Sequence, residues 1–325
     1  MRAHAPFTRA TAMIAVASTH ITHQPIAIFS STRATCELAM SSNYRPEMTE
    51  AGLSPTQAVL AIDEYQNTRE LHVAEERALT IYIDSYEIVT LMTLGTQPEM
   101  LALGYLKNQG LIKNLSEIKS IQVDWDVNAV AVTTFEDRDD WKDKLGPRIV
   151  TTGCGQGTVF GDILEHLDGL DIQGIKIKQS RLYALLKNLN AHNDVYKNAG
   201  AVHGCALCHD TEPLIFIEDV GRHNAVDAIA GKMWLDGISG NDKTFYTTGR
   251  LTSEMVIKVA QMEIPVLLSR SGITKMGLNL ARDMNITLLS RAKSKHFLIY
   301  NGSENIEFDI ELPPKREVAN TIKET

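Results

Sequence analysis

The chain is poor in cysteine, and the four in its 325 residues are Cys36, Cys154, Cys205 and Cys208. A disulfide-based fold needs denser cysteine in a shorter chain, so we expect free thiols and a cytoplasmic protein. Long apolar runs are also missing, which excludes a membrane-spanning helix. The net charge of −8 excludes a general binder of nucleic acid or of an anionic membrane, but it permits a local basic pocket.

Acidic residues are missing from the first 36 positions, which are rich in Ser, Thr and Ala. A targeting peptide can have this composition, but the apolar stretch "AMIAVAS" is short and no small-residue cleavage site follows it. We therefore predict a disordered extension over residues 1–48, or a stretch upstream of a start at Met40 or Met48.

The next part of the chain has the pattern of strands around one helix. Residues 78–84 and 87–93 have the composition of a strand pair, and residues 98–110 have proline at the start and glycine at the end, as helices do. These patterns predict a smaller α+β domain over residues 49–150, with the polar stretch 135–148 as the candidate linker.

Beyond residue 150, strand patterns alternate with helical ones. The alternation predicts an α/β domain over residues 151–310, with a mostly parallel sheet covered by helices on both faces, and a tail over 311–325. The first of these helices is predicted to have Ser180 as its N-cap and to bury one leucine face, formed by Leu182, Leu185, Leu186 and Leu189.

Basic residues follow four of the predicted strands. In α/β sheets, ligands bind beyond the carboxyl ends of the strands. The residues at these ends are Arg222 and His223 in "EDVGRHNAVD", Arg250 in "TTGRLTSEM", Arg270 in "SRSGITK", and Arg291 with Lys293 in "LSRAKSK". Each one alone is typical of a helix cap with a solvated charge. Together they predict a pocket for a large phosphorylated ligand.

Cys154 lies among glycines at 153, 155 and 157, in "TTGCGQGTVFGD". Glycines let the backbone turn freely and let a partner approach closely. A thiol that is reachable, and whose thiolate is stabilised by backbone N–H groups or cations, is a good nucleophile. The alternative is a small inert residue, since most cysteines are buried. The glycine context favours a reactive thiol.

A second cysteine motif, "VHGCALCHD", offers a competing hypothesis. His203, Cys205 and Cys208 are ligand types that suit zinc, and they predict a zinc-dependent deaminase or hydrolase. However, the segment also has the pattern of a strand, in which alternate side chains face opposite ways. The usual partner motifs of a zinc site are missing as well, so we favour two core cysteines here.

The blocks "EDVGRHNAVD", "TGRLTSEMVIKVA", "IPVLLSRSGITKMGLNLA" and "LGTQPEMLALGYLKNQGLI" together resemble the FdhD family, the sulfur-carrier accessory proteins of formate dehydrogenase. The resemblance runs from about residue 70 to 300. It implies a cytidine-deaminase-like α/β domain over 151–310 with no metal of its own, and a homodimer. It also implies a sulfurtransferase that takes persulfide sulfur from a cysteine desulfurase. The sulfur goes to the molybdenum of bis-molybdopterin guanine dinucleotide, the cofactor that apo-formate dehydrogenase receives.

The resemblance also implies roles for residues. Cys154 carries the sulfur. The pocket predicted from the strand ends then holds the anionic cofactor, and we expect Arg222, His223, Arg250 and Arg270 to steady it, with His223 handling a proton near neutral pH. Cofactor contact falls on Leu289, Ser290, Arg291, Ala292, Lys293 and Ser294, of which Arg291 and Lys293 are the expected phosphate partners.

One position departs from the family pattern. The family usually has a cysteine pair, C-G-x-C-G, whereas here Gly157 replaces the second cysteine. A second thiol can release the sulfur by forming a disulfide, so its loss predicts a one-cysteine persulfide carrier. A cofactor chaperone without sulfur chemistry is the remaining alternative.

Overall fold

The computed structural model describes residues 44–136 and 170–311, which lie in one compact unit, Ser41–Thr325. Cys154 and the domain boundary predicted at residue 150 lie outside the described residues, as do most of the predicted extension and tail. The division into domains therefore stays a prediction. Within the described ranges, no helix is both long and apolar enough to cross a membrane.

The first described range forms a sheet, a hairpin and a helix. Its elements are β1 (Glu47–Met48), β2 (Thr56–Ile62), β3 (Thr68–Ala74), β4 (Arg77–Ile83), β5 (Tyr86–Thr93), α1 (Pro98–Asn108), a 3₁₀ turn (Leu115–Glu117), β6 (Ile118–Asp124) and β7 (Ala129–Thr134). Five strands form a sheet in the order β1-β6-β7-β4-β5, and β2 pairs with β3 separately. The predicted strand pair and the predicted helix are confirmed.

The second described range alternates strands and helices. Its elements are β8 (Ile177–Lys178), α2 (Gln179–Leu189), α3 (Asp194–Ala199), β9 (His203–His209), β10 (Glu212–Asp219), α4 (Arg222–Asp236), β11 (Thr244–Thr247), α5 (Ser253–Gln261), β12 (Val266–Ser269), α6 (Lys275–Asp283), β13 (Thr287–Lys293), β14 (His296–Asn301), a 3₁₀ turn (Ser303–Asn305) and β15 (Ile306–Glu307). Six strands form a sheet in the order β10-β9-β11-β12-β13-β14.

The predicted α/β class is confirmed, and the six-stranded sheet is mixed. Strands β11, β12 and β13 are parallel neighbours, whereas β9 is antiparallel to β10 and β11, and β14 is antiparallel to β13. A short turn joins β9 to β10 and another joins β13 to β14, which makes these two pairs antiparallel hairpins. Because β9 is reversed between them, β10 runs in the same direction as β11. The carboxyl ends of β10, β11, β12 and β13 therefore share one edge.

Helices cover both faces of this sheet. The predicted leucine face of α2 is confirmed, and it packs with Ala206, Tyr246 and Leu289 in one apolar cluster. Helices α4, α5 and α6 supply buried residues to a larger cluster, which also contains residues of the five-stranded sheet. The two faces of the sheet therefore have different surroundings. A side chain at the end of a strand faces either the cluster under α2 or the larger cluster.

The predicted N-cap of α2 is wrong. The N-cap residue is Lys178, and Ser180 lies in the first turn of the helix. The backbone N–H and the hydroxyl of Ser180 donate to the Asp309 carboxylate, at 2.9 and 2.6 Å. A carboxylate more than a hundred residues away therefore satisfies the helix N-terminus, and a local sequence pattern does not reveal such a partner.

Helices α1 and α4 meet backbone to backbone, which joins the two halves of the described chain. A Cβ atom added at Gly104 would lie 1.6 Å from the carbonyl oxygen of Asp227, and one at Gly231 would lie 2.0 Å from that of Met100. A side chain at either position would force the helices apart. Glycine at both positions is what allows this contact.

Candidate functional site

A cationic cavity lies at the carboxyl edge of the six-stranded sheet, on the face that α2 covers. Its volume is about 460 Å³, within the range of small-molecule sites. The ten lining residues are Tyr183, Leu186, Lys187, Asn190, Tyr246, Arg270, Ala292, Lys293, Ser294 and Lys295. Four of these ten residues are basic and none is acidic, so the wall favours an anion.

Arg270 is fixed where β12 ends. Its backbone N–H donates to the carbonyl oxygen of Thr247 on the neighbouring strand, at 3.0 Å. Its side chain interacts with the hydroxyl of Tyr246, which is buried in the cavity floor. Burial raises the pKa of Tyr246 to about 12, although Arg270 opposes the shift. The phenol is therefore neutral at physiological pH, and the charge of Arg270 stays available to a ligand.

The predicted cofactor segment, Leu289 to Ser294, divides between the cavity and its surroundings. Ala292, Lys293 and Ser294 line the cavity. Leu289 and Ser290 are buried in β13, and Arg291 is exposed and is not among the lining residues.

A bulge explains this division. The pairing of β13 with β14 shifts register between Ser290 and Lys293, and Arg291 has a left-handed backbone, with φ of 52°. An extra residue in a strand changes which face the following side chains occupy. Ala292 therefore joins Leu289 on the α2 face. Of the two expected phosphate partners, the structure places Lys293 in the cavity wall but not Arg291.

Helix α2 supplies a wall that the sequence motifs did not predict. Its lining residues are Tyr183, Leu186, Lys187 and the C-cap residue Asn190. Leu186 and Lys187 lie three and four residues after Tyr183, and Asn190 lies four and three residues after them, so all four share one stripe of the helix. The helical spacing was visible in the sequence. Only the fold shows that this stripe faces the ends of β12 and β13.

Three other predicted residues lie on the opposite face of the sheet. Arg222 and His223 are buried in the first turn of α4, whose apolar residues belong to the larger cluster, and Arg250 is exposed after β11. Burial lowers the pKa of His203, and Arg222 and Arg250 lower it further, so both arginines lie near that histidine. None of these four residues lines the cationic cavity. The predicted single pocket is therefore two separate groups of basic residues.

His223 belongs to a buried ionic network below this second group. Its Nε2 atom lies 3.3 Å from Oε2 of Glu254, without the alignment of a hydrogen bond. Lys258 Nζ donates to both carboxylate oxygens of Asp227, at 2.8 and 2.6 Å, and lies 3.9 Å from Glu254. Asn108 of α1 donates to the same aspartate at 2.7 Å. The network ties α1, α4 and α5 together.

The network determines the charge of His223. Burial, together with the nearby charges of Lys258 and Arg222, lowers the pKa of His223 to about 2. The ring is therefore neutral across the physiological range. The expectation that His223 handles a proton near neutral pH is wrong, because the sequence does not show that this helix start is buried beside a lysine.

The first two acids of the "EDVGRHNAVD" motif have structural contacts. Asp219 accepts hydrogen bonds from the hydroxyl of Thr93 at 2.5 Å and from the N–H of Leu94 at 3.1 Å. Glu218 accepts from the N–H groups of Val195 and Tyr196, at 2.8 and 2.9 Å. Asp219 thus fixes the end of β5 beside the start of α4, and Glu218 fixes the start of α3.

The described residues do not support the zinc hypothesis. Cys205 belongs to the larger apolar cluster and Cys208 to the cluster under α2, so the two thiols lie on opposite faces of β9. Burial raises the pKa of both, that of Cys205 to about 12. No group of three or more His, Cys, Asp or Glu side chains within 44–136 and 170–311 is arranged to hold a metal ion. The preference for two core cysteines is confirmed.

The fold and the cavity define an α/β protein that can bind an anionic ligand at the carboxyl edge of a mixed sheet. Residues 74–307 match the model of the family described as the FdhD/NarQ family. The match covers well over half of the chain. The chain therefore belongs to the FdhD/NarQ family, which confirms the resemblance found in the sequence.

Curated relatives and a solved structure agree with this assignment. The sulfur carrier protein FdhD of Bacillus subtilis is 30% identical over 246 residues, which are 73% of this chain and 91% of the relative. The protein of the same name from Listeria innocua is 29% identical over 241 residues, 73% of this chain and 92% of the relative. A crystal structure of a putative formate dehydrogenase accessory protein from Desulfotalea psychrophila is 28% identical and has a TM-score of 0.62. The match covers 78% of this chain and all of the Desulfotalea chain.

Proposed function

We propose that this chain is a sulfurtransferase that carries persulfide sulfur to a molybdenum cofactor destined for formate dehydrogenase. The observation that carries the proposal is the acid-free cationic cavity, which lies within the part of the chain that matches the family. Relatives that align with most of the chain are named sulfur carrier proteins. The cargo in this proposal is bis-molybdopterin guanine dinucleotide.

The chemistry of the cavity suits a diphosphate. Arg270 presents a planar fork of donors that can bind two phosphate oxygens at once, and Lys293 and Lys295 add point charges on the same wall. The aromatic rings of Tyr183 and Tyr246 offer apolar surface beside these cations. A cavity of about 460 Å³ suits one nucleotide arm of the cargo, with the remaining cofactor outside the cavity.

In the proposed transfer, the Cys154 thiolate attacks the terminal sulfur of a desulfurase persulfide. A new S–S bond forms at Cys154, and the desulfurase cysteine leaves as its thiolate. When the cargo takes the terminal sulfur, the S–S bond breaks and Cys154 is again a thiolate. The transferred sulfur becomes sulfide by taking two electrons from the metal that accepts it, so a second cysteine is not required.

The proposed function requires three protein partners. A cysteine desulfurase supplies the sulfur, apo-formate dehydrogenase receives the sulfurated cofactor, and a second copy of the chain completes a homodimer. The cytoplasm is the compartment that suits a reactive thiol kept reduced.

Sulfur loading tests the proposal. The full chain is incubated with a cysteine desulfurase and cysteine, and its intact mass is measured before and after reduction. Wild type should gain one sulfur atom that reduction removes, and Cys154→Ala should gain none. Cys36→Ala is the matched control, because Cys36 lies outside the family match, and it should load like wild type. Equal loading of Cys154→Ala would overturn the assignment of the carrier cysteine and favour a chaperone role.

A further inference from the structure

The α2 side of the cavity carries neutral as well as basic groups. From Tyr183 to Asn190 the stripe extends over eight residues, about 10 Å along a helix axis. Lys187 lies between them on the same stripe. The opposite wall, formed by Arg270 and by residues 292–295, contains most of the positive charge. The cavity thus presents a basic wall and a mixed wall to one ligand.

Asn190 is the neutral hydrogen-bonding group on this stripe that is not engaged elsewhere. Its side chain is exposed and makes no hydrogen bond to any described residue. Asn188, two residues earlier on the same helix, is different, because its amide donates to the carbonyl oxygen of Thr211 at 2.9 Å and to Glu212 at 3.1 Å. One asparagine thus has a structural role, and the other faces the cavity with its donor and acceptor available.

Tyr183, at the other end of the stripe from Asn190, is held in place by two contacts. Its hydroxyl accepts a hydrogen bond from Nε2 of Gln179 at 2.8 Å, and its ring packs on Phe297 with 5.8 Å between the ring centroids. A ring fixed in this way offers a rigid apolar surface to a planar ligand. The carboxamide of Asn190, about 10 Å further along the helix axis, offers a donor and an acceptor to the polar edge of a nucleobase.

We propose that Asn190 recognises the purine edge of the bound nucleotide and that Lys187 adds a fourth cation to its phosphate site. The inference rests on the proposed function, because it assumes that a guanine nucleotide arm occupies the cavity. The edge of guanine presents an acceptor at O6 beside a donor at N1, and a carboxamide offers the complementary pair. Lys187 is a compact point charge with donors only, which suits phosphate oxygens.

Titration calorimetry of the full chain with guanosine 5′-diphosphate and with inorganic pyrophosphate separates the two roles. Asn190→Ala should lower the affinity for guanosine 5′-diphosphate about tenfold, which is the effect of one or two lost hydrogen bonds. The affinity for pyrophosphate should stay within twofold of wild type. Lys187→Ala should lower the affinity for both probes by a similar factor, because it removes a charge that both probes contact. It should also reduce the salt dependence of binding.

Two surface variants serve as matched controls. Lys197→Ala removes an exposed lysine of α3, and Asn285→Ala removes an exposed asparagine next to α6, and neither residue lines the cavity. Both should bind both probes like wild type. Circular dichroism of each variant confirms that the exposed substitutions leave the fold intact.

The outcomes distinguish the inference from the function on which it rests. If wild type binds neither probe, the placement of the cargo in this cavity fails. If wild type binds guanosine 5′-diphosphate and Asn190→Ala binds it equally well, only the role of Asn190 is overturned. An equal loss of nucleotide and pyrophosphate in Asn190→Ala would also contradict base recognition.

Discussion

The two faces of the six-stranded sheet differ in the environment of their basic residues. On the α2 face, Arg270, Lys293 and Lys295 line a cavity whose ten described lining residues include no acid. On the face of α4 and α5, Lys258 is 1% exposed and is bound by the Asp227 carboxylate. The three residues of the cavity wall have charge available to a ligand, whereas the charge of Lys258 is neutralised within the protein.

This difference shows that a basic residue at a strand end has two uses. A cation in an open cavity without acids gains most of its interaction energy from a bound anion. A cation buried with a carboxylate holds elements together, and removing either partner leaves an unpaired charge in the interior. Variants on the α2 face should therefore change binding, and variants on the other face should change stability.

The largest expected effect is on the buried face. Lys258→Ala leaves the Asp227 carboxylate buried without its cation, so the free energy of unfolding should fall by about 3–5 kcal/mol. Lys232→Ala is the control, because Lys232 forms a pair with Asp236 at 2.9 Å at the surface and should cost less than about 1 kcal/mol. Urea denaturation measures both, and equal losses would remove the distinction between buried and exposed pairs.

The helix contact that supports the buried face gives the next effect. Gly104→Ala places a Cβ against the backbone of Asp227, which cannot move without separating α1 from α4, so the loss should be about 1–3 kcal/mol. Gly272→Ala is matched to it, since a Cβ there has no neighbour within 4 Å. Thermal unfolding of the two variants should differ clearly, and similar melting temperatures would contradict the close contact.

The pH dependence of stability follows from His223. Its pKa in the folded chain is lowered to about 2, whereas an unfolded histidine titrates near 6.5. Below about pH 6.5 the unfolded chain takes up a proton that the folded chain does not, so stability is complete above that pH and falls below it. Between pH 7.5 and 5.5, wild type should lose about 1 kcal/mol more than His223→Gln. Identical pH profiles in urea denaturation would show that the ring is not buried as described.

The smallest effect on stability, and a clear effect on binding, is expected on the α2 face. Arg270→Ala and Lys293→Ala should each lower the affinity for guanosine 5′-diphosphate by up to about tenfold, since each removes a charge-assisted contact. Both should unfold within about 0.5 kcal/mol of wild type. Lys119→Ala, an exposed lysine of β6, is the control for titration calorimetry. A loss of stability without a loss of binding would reverse the assignment of the two faces.

The sequence predicted the elements of this fold well and the site in part. Leu182, Leu185, Leu186 and Leu189 have a helical spacing, and the structure confirms their common face because local periodicity decides it. The basic residues predicted for one pocket lie in two groups for a different reason. Which face a residue beyond a strand end occupies depends on bulges such as that at Arg291 and on the helix that covers each face. Neither is encoded within a few neighbouring residues.

Residues far apart in sequence explain the remaining differences. The wall formed by Lys187 and Asn190 lies about a hundred residues before Lys293, and only the tertiary fold brings α2 against the end of β13. The same applies to His223, whose neutral charge comes from burial beside Lys258 of another helix. Motifs located the edge of the sheet correctly, and the packing of the helices determined which of its residues face a ligand.

A crystal structure of the full chain with guanosine 5′-diphosphate tests the central claim most directly. The account predicts the diphosphate in the cationic cavity, with its oxygens within hydrogen-bonding distance of Arg270 and Lys293. A diphosphate bound beside His203, Arg222 and Arg250 on the opposite face would contradict it.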